Sequence, residues 1–192
     1  WRVVCGGSRS YVTALSASFA ERIRLNCPVQ RVERDATGVT LHSGAGTERF
    51  DSVVFACHSD QALSLLAAPN QAEREILGAL HYADNDVVLH SDTRVLPNRR
   101  LAWASWNYRL GGSTRQPAAL TYNMNILQGL QSDTTFCVSL NQNEAIDPST
   151  ILGRYRYAHP QYTLAGVEAQ ARWAELQGVQ HSYFLSLIHI SE

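Results

Sequence analysis

The chain of 192 residues is 45% hydrophobic and 17% charged, so it has the apolar mass to bury a core and lacks the polarity of a disordered segment. Its formal net charge is −1, and with no basic stripe to compensate, a nucleic-acid partner is not expected. All 16 basic residues are arginine, and the lack of lysine excludes Schiff-base chemistry and a phosphate-loop lysine.

The text opens on the strand-like Trp1-Arg2-Val3-Val4 without an initiator Met, which reads as a piece of something longer. After Gly6-Gly7, Tyr11, Val12, Leu15 and Phe19 recur at the spacing of one helix face, predicting a helix from Arg9 to Ile23 with Ser8 as its cap. The period then changes. Val29 to Arg34 and Val39 to His42 read as hairpin-linked strands, broken by Asp35-Ala36-Thr37-Gly38 and Ser43-Gly44-Ala45-Gly46. Within Phe50 to Cys57, the continuous Val53-Val54-Phe55-Ala56 run suits a strand buried on both faces in a parallel sheet, and Ser59 is placed to cap a helix through Leu66. Asn70 followed by Glu73 is a capping box that launches a helix carrying Ile76, Leu77 and Leu80.

Beyond it the pattern becomes antiparallel, with strands expected at residues 86–90, 101–108, 119–127 and 135–140. Tyr122, Met124 and Ile126 alternate with Thr121, Asn123 and Asn125, so one face is apolar and the other amide-rich, either solvated or lining a cavity. Asp147-Pro148 predicts a helix running into Tyr157. A last helix near residues 167–176 and a short strand at 179–185 close the pattern.

The chemistry-bearing residues are sparse. Cys5, Cys27, Cys57 and Cys137 form no C-x-x-C pair, and the seven histidines show no metal-ligand spacing, so no metal site is expected. Cys57 and His58 are adjacent and would point to opposite faces of a strand, which argues against a nucleophile and base pair and for a packed thiol. Trp106 and Tyr108 concentrate aromatic surface in one segment, suiting core packing or an aromatic wall for a planar cofactor or acyl chain. No apolar run approaches the roughly 20 residues that cross a bilayer, and the opening residues lack the charged, apolar and small-residue order of a signal peptide; a cytoplasmic location is expected, with any membrane association peripheral.

The order of these segments carries more than any one of them. Gly6-Gly7, a helix, Ile23-Arg24-Leu25-Asn26-Cys27-Pro28-Val29-Gln30-Arg31-Val32, then Gly38-Val39 and Asp51-Ser52-Val53-Val54-Phe55-Ala56-Cys57 resemble the flavin-containing amine oxidoreductase superfamily, which includes monoamine oxidases and phytoene desaturases. Ala56 to Leu63, Trp103-Ala104-Ser105-Trp106-Asn107-Tyr108 and Tyr122-Asn123-Met124-Asn125 bring the resemblance closer to a bacterial branch of predicted NAD/FAD-binding oxidoreductases. The resemblance runs from Trp1 to about Phe184.

It implies an α/β fold: part of a Rossmann-like FAD-binding domain with an inserted α+β substrate domain built on an antiparallel sheet. The corresponding ranges are 1–68 for the partial FAD-binding domain, 69–177 for the substrate domain, and 178–192 for a return strand and a tail that reads as foreign. By the same resemblance, the backbone at Val29 holds the adenine end of FAD, and Ala56 and Cys57 border the cofactor. Trp106, Tyr108, Tyr122, Asn123 and Asn125 are the substrate-pocket candidates, while no catalytic residue is singled out. The implied reaction is hydride transfer to flavin from an amine, an acyl lipid or another small molecule. A flavin-dependent desaturase or isomerase, and a non-catalytic module stabilised by FAD, are the alternatives. The family's G-x-G-x-x-G turn is absent from this text and is expected upstream of Trp1, so the piece alone is expected to be inactive.

Overall fold

A computed structural model describes residues 4–109 and 119–185. Most of the opening strand and the terminal segment 186–192, read above as foreign, lie outside the described residues. In chain order the elements are α1 (Ser8–Ser16), β1 (Val29–Asp35), β2 (Gly38–Ser43), β3 (Gly46–Phe50), β4 (Val53–Phe55), α2 (Ser59–Leu65), α3 (Gln71–Gly78) and β5 (Tyr82–His90). There follow β6 (Trp106–Arg109), β7 (Ala119–Asn123), α4 (Met124–Gln128), β8 (Cys137–Leu140), β9 (Ile151–Pro160), α5 (Leu164–Ala171) and β10 (Ser182–Phe184). The chain divides into two compact units: a mixed unit of Glu21–Ala83 with Pro160–Glu192, and a sheet unit of Trp1–Ala20 with Asp84–His159.

In the mixed unit, β1, β2 and β3 form an antiparallel meander. Its first turn needs Gly38, whose φ of +148° would bring a Cβ within 2.5 Å of the Phe50 carbonyl oxygen. The run 50–57 is divided between β3 and β4, and β4 pairs in parallel with β10: Val53 opposite Ser182, Val54 opposite Tyr183 and Phe55 opposite Phe184. The return strand expected near the C-terminus therefore lies in the same unit as β4, although Val54 is exposed where burial on both faces was expected. The core gathers Val32, Phe55, Leu66, Ile76, Leu77, Leu176 and Phe184, so α3 and the segment around α5 pack with the parallel pair. Burial of these side chains contributes about 1.5–3 kcal/mol each before the entropy of ordering them is subtracted.

Two caps fix the helices. His58 and Gln61 form a capping box at α2, placing the cap one residue before the expected Ser59. At α3, Asn70 and Glu73 form the predicted box. The Glu73 carboxylate, fully buried, also receives both terminal nitrogens of Arg34, which in addition donates to Ala68 O at 3.0 Å and Ser182 Oγ at 3.2 Å. One ion pair thus ties β1, α3 and β10 together.

In the sheet unit the strand order is β6-β7-β8-β5-β9. Three expected elements are corrected here. The helix expected at Arg9–Ile23 is only nine residues long, Ser8–Ser16, with Thr13 and Ser16 hydroxyls bonded back to the carbonyls of Arg9 and Val12; its cap is Gly7. The strand expected over 119–127 stops at Asn123, whose side chain accepts from Ile126 N and starts α4, which Gly129 ends in a left-handed conformation. Asp147-Pro148 opens a single 3-10 turn, after which the Tyr155- and Tyr157-bearing segment is the strand β9.

Candidate functional site

Beside the start of β1, Glu21, Arg22, Arg24, Cys27, Val29, Leu41, Ser43, Glu48 and Phe50 line a cleft of about 580 Å³. Val29, Leu41 and Phe50 give it apolar surface, and Glu21, Arg22, Arg24, Ser43 and Glu48 supply polar groups. Arg24 is held by a bidentate pair with Glu48, which lowers that carboxyl's pKa and raises the guanidinium's. The β1–β2 register shifts between Val29 and Arg31, an irregularity that re-aims the backbone where the cleft lies. A cleft of this size and composition accommodates a purine-sized ring, so the residues present fit the adenine end of a dinucleotide.

Ala56 and Cys57 follow β4 directly, at the carboxyl end of the parallel pair, which is where open α/β sheets receive ligands. Ala56 is exposed and Cys57 half-buried. Burial pushes the Cys57 thiol up, with the Asp60 charge adding to it, so it is a packed thiol and not an activated nucleophile. His58 stacks on Tyr82 at 4.3 Å between ring centroids, and the Tyr82 hydroxyl accepts from Ser59 N. The Cys57-His58 dyad of hydrolytic chemistry does not form.

In the sheet unit, Trp106 and Tyr108 lie on β6 and line a groove of about 510 Å³ with Arg94, Leu96, Asn98 and Arg109 among the other walls. Tyr122 stands opposite Trp106 in the β6–β7 register and meets its ring edge-on at 5.7 Å. Trp106 and Tyr108 thus share the groove, and Tyr122 touches Trp106 from outside its lining. Asn123 and Asn125 are not in the groove lining: Asn123 is buried and caps α4, while Asn125 donates to Thr134 O at 2.9 Å and accepts from Phe136 N at 2.8 Å. Their amides are engaged in holding the 123–136 loop, and the alternation that joined them to one face ends with the strand.

A buried polar chain escaped the sequence reading. Asp92 N donates to His90 Nδ1 at 3.1 Å, which leaves the proton on Nε2 to donate to Ser139 Oγ at 2.8 Å. Ser139 Oγ lies 2.7 Å from Thr121 Oγ1, which also receives Gln142 Nε2 at 2.9 Å. Burial lowers the His90 pKa and keeps the ring neutral. The signal for it was Thr121 and Ser139, hydroxyls at inward positions of strands that pair directly opposite each other. Asp92 itself is held well below the usual carboxylate range, first by Arg94 and then by Asp147 N. No metal-binding cluster occurs among the described residues.

One unit thus holds a parallel strand pair with helices and the other an antiparallel sheet, an α/β composition. The structure matches a CLA-producing fatty acid isomerase from P. acnes with a TM-score of 0.63 at 12% identity, over 94% of this chain and 47% of that one. It matches putrescine oxidase at 0.60 and 12% identity, over 95% and 47%, and cyclohexylamine oxidase from Brevibacterium oxydans at 0.59 and 14%, over 95% and 47%. At these identities the likeness is one of fold, and the chain spans about half the length of each structure. In sequence, residues 2–124 match the flavin containing amine oxidoreductase family, and the chain belongs to that family. No curated protein matches the sequence significantly.

Proposed function

We propose that the chain is part of an FAD-dependent oxidoreductase. The observation that carries this reading is the β4–β10 parallel pair with Ala56 and Cys57 at its carboxyl end, in a chain of a flavin-containing family. In this reading the mixed unit binds FAD and the sheet unit binds substrate. Val29 borders the adenine in the 580 Å³ cleft, and Leu41 and Phe50 offer it apolar surface. Ala56, which has no side chain beyond Cβ, lets the dinucleotide approach the strand end, and the protonated Cys57 thiol adds no charge there. FAD, when bound, supplies the hydride acceptor, and the polypeptide contributes orientation and electrostatics.

On the substrate side, Trp106, Tyr108 and Tyr122 provide an aromatic surface against which an apolar or planar substrate is oriented. The substrate class is a small amine or an acyl lipid, and with the latter the enzyme works peripherally at a membrane. Among the described residues no helix is long and apolar enough to cross one. The test is to express the chain within its longer reading frame, record the flavin absorption bands, and titrate anaerobically with amines and with acyl lipids. A yellow protein bleached by one class identifies the substrate. A colourless protein that also fails to bind added FAD refutes the reading.

A further inference from the structure

The near-neutral total charge conceals an uneven distribution. Residues 93–132 carry five arginines and neither aspartate nor glutamate, and four of the five, Arg94, Arg99, Arg100 and Arg109, lie between positions 94 and 109. Their spacing hides the pattern from a search for a basic stripe; the fold gathers it. Asn98 and Ala102 both line the groove that Trp106, Tyr108 and Arg109 also line, so the intervening Arg99-Arg100-Leu101 forms its rim. The rim is shaped by a 3-10 turn, Arg100–Ala102, that the Trp103 indole pins by donating to Pro97 O at 2.8 Å, with the Arg100 guanidinium over the Trp103 ring at 5.3 Å.

At the apex of that turn Leu101 is completely exposed, at 104%, and Tyr108 and Trp106 are 61% and 51% exposed. Arg94 is neutralised by Asp92 and Asp147, which leaves Arg99, Arg100 and Arg109 as the cations of the rim. A stable protein partner needs roughly 800 Å² per side with an apolar centre. Here the apolar apex is a single leucine preceded by Arg99 and Arg100, on the rim of a groove that Arg109, Trp106 and Tyr108 line. That combination matches a negatively charged bilayer surface, where an aliphatic tip enters the acyl boundary, aromatic rings sit at headgroup depth and guanidinium groups pair with lipid phosphates.

We propose that this rim docks the protein on an anionic membrane surface, with Leu101 inserted and Arg99, Arg100 and Arg109 on the headgroups. The inference deepens the membrane-peripheral part of the reading above and does not depend on the flavin. The experiment is co-sedimentation of the 192-residue chain with phosphatidylcholine vesicles, with and without phosphatidylserine, across a salt series. Binding is expected only with phosphatidylserine and is lost at high salt. At roughly fivefold per arginine, Arg99→Gln with Arg100→Gln weakens partitioning about 25-fold. Leu101→Ser weakens it roughly tenfold or more by removing the inserted side chain.

The control pair Arg74→Gln with Arg154→Gln, which removes the same charge from exposed positions elsewhere, is expected to bind unchanged. Circular dichroism of each variant separates lost docking from lost folding. The proposal is overturned by absence of vesicle binding in the folded chain, by equal binding to neutral vesicles, or by an equal loss in the control pair. Capture of a single-stranded oligonucleotide in place of vesicles also overturns it. Flavin binding is read separately, so either reading can fail while the other stands.

Discussion

Replacing Glu73 by Gln should cost the mixed unit much of its stability. Glu73 is fully buried, and its carboxylate accepts two hydrogen bonds from Arg34 and one, at 2.7 Å, from Asn70 N. Gln keeps the oxygen that serves both Asn70 N and Arg34 Nη2 but turns an amide donor toward Arg34 Nη1. Arg34, whose side chain is 3% exposed, then has only neutral acceptors, the Gln oxygen, Ala68 O and Ser182 Oγ, for a full positive charge. An uncompensated charge of this kind costs about 3–5 kcal/mol, against roughly 5–15 kcal/mol for a whole domain. For a unit of about 100 residues that corresponds to a fall in Tm of roughly 15–30 °C.

Two units need not melt together, so the assay is calorimetry, with the lower transition followed in both proteins. The double variant Arg34→Met with Glu73→Leu removes both charges and should recover most of the loss, giving a large coupling in the cycle. A Glu73→Gln protein within about 1 kcal/mol of the parent, or a double variant whose loss is the sum of the singles, would refute the ion-pair argument.

In the sheet unit, His90 is held neutral and Cys137 is pushed up to about 11 by burial. Below about pH 6.5 the unfolded chain takes up a proton that the folded His90 refuses, and above about pH 9 it releases one that Cys137 retains, so stability falls in both directions. Asp92, held low mainly by Arg94, adds a further loss as pH falls below about 4. Thermal melts across this range check the signs, and a flat profile through both limits contradicts them. Gly38→Ala should cost about 1–3 kcal/mol in a denaturant titration, since its φ is forbidding and the Phe50 carbonyl stands in the way; a neutral result would show that the turn relaxes. Alkylation followed by mass spectrometry should modify exposed Cys5 first and buried Cys137 only on unfolding, and FAD should slow modification of Cys57 if the dinucleotide borders it. Unchanged Cys57 labelling in the flavin-loaded protein would remove Cys57 from the site.

What was legible in the sequence was local and chemically specific. Asn70 and Glu73 announce α3 because a capping box is a three-residue device. Val53-Val54-Phe55 announces a parallel strand, and its partner is the return strand at Ser182–Phe184. The failures came where two signals competed. Alternation at 121–126 pointed to a strand, yet Asn123 and Gly129 bracket that stretch with the start and stop of a helix, and capping prevailed. At 147–157 the cap at Asp147 is real, but Gly153 and the tyrosines beyond it favour extended backbone, so the turn does not propagate. For the His90 chain the sequence offered only the inward hydroxyls of Thr121 and Ser139, because the chain itself depends on the β5–β8 and β7–β8 registers bringing together residues far apart in sequence.

The pairing of β4 with β10 also sets an order of events during synthesis. Val53 to Phe55 leave the ribosome roughly 130 residues before their partners Ser182 to Phe184. Through that interval Phe55, Leu66 and Ile76 have only part of their core to enter, while β5 to β8 can already pair with neighbours that are nearby in sequence. Loops of this length close slowly, and exposed apolar surface invites association meanwhile. The sheet unit is therefore the earlier folder, and the mixed unit waits as a clientele for chaperones until its last strand arrives.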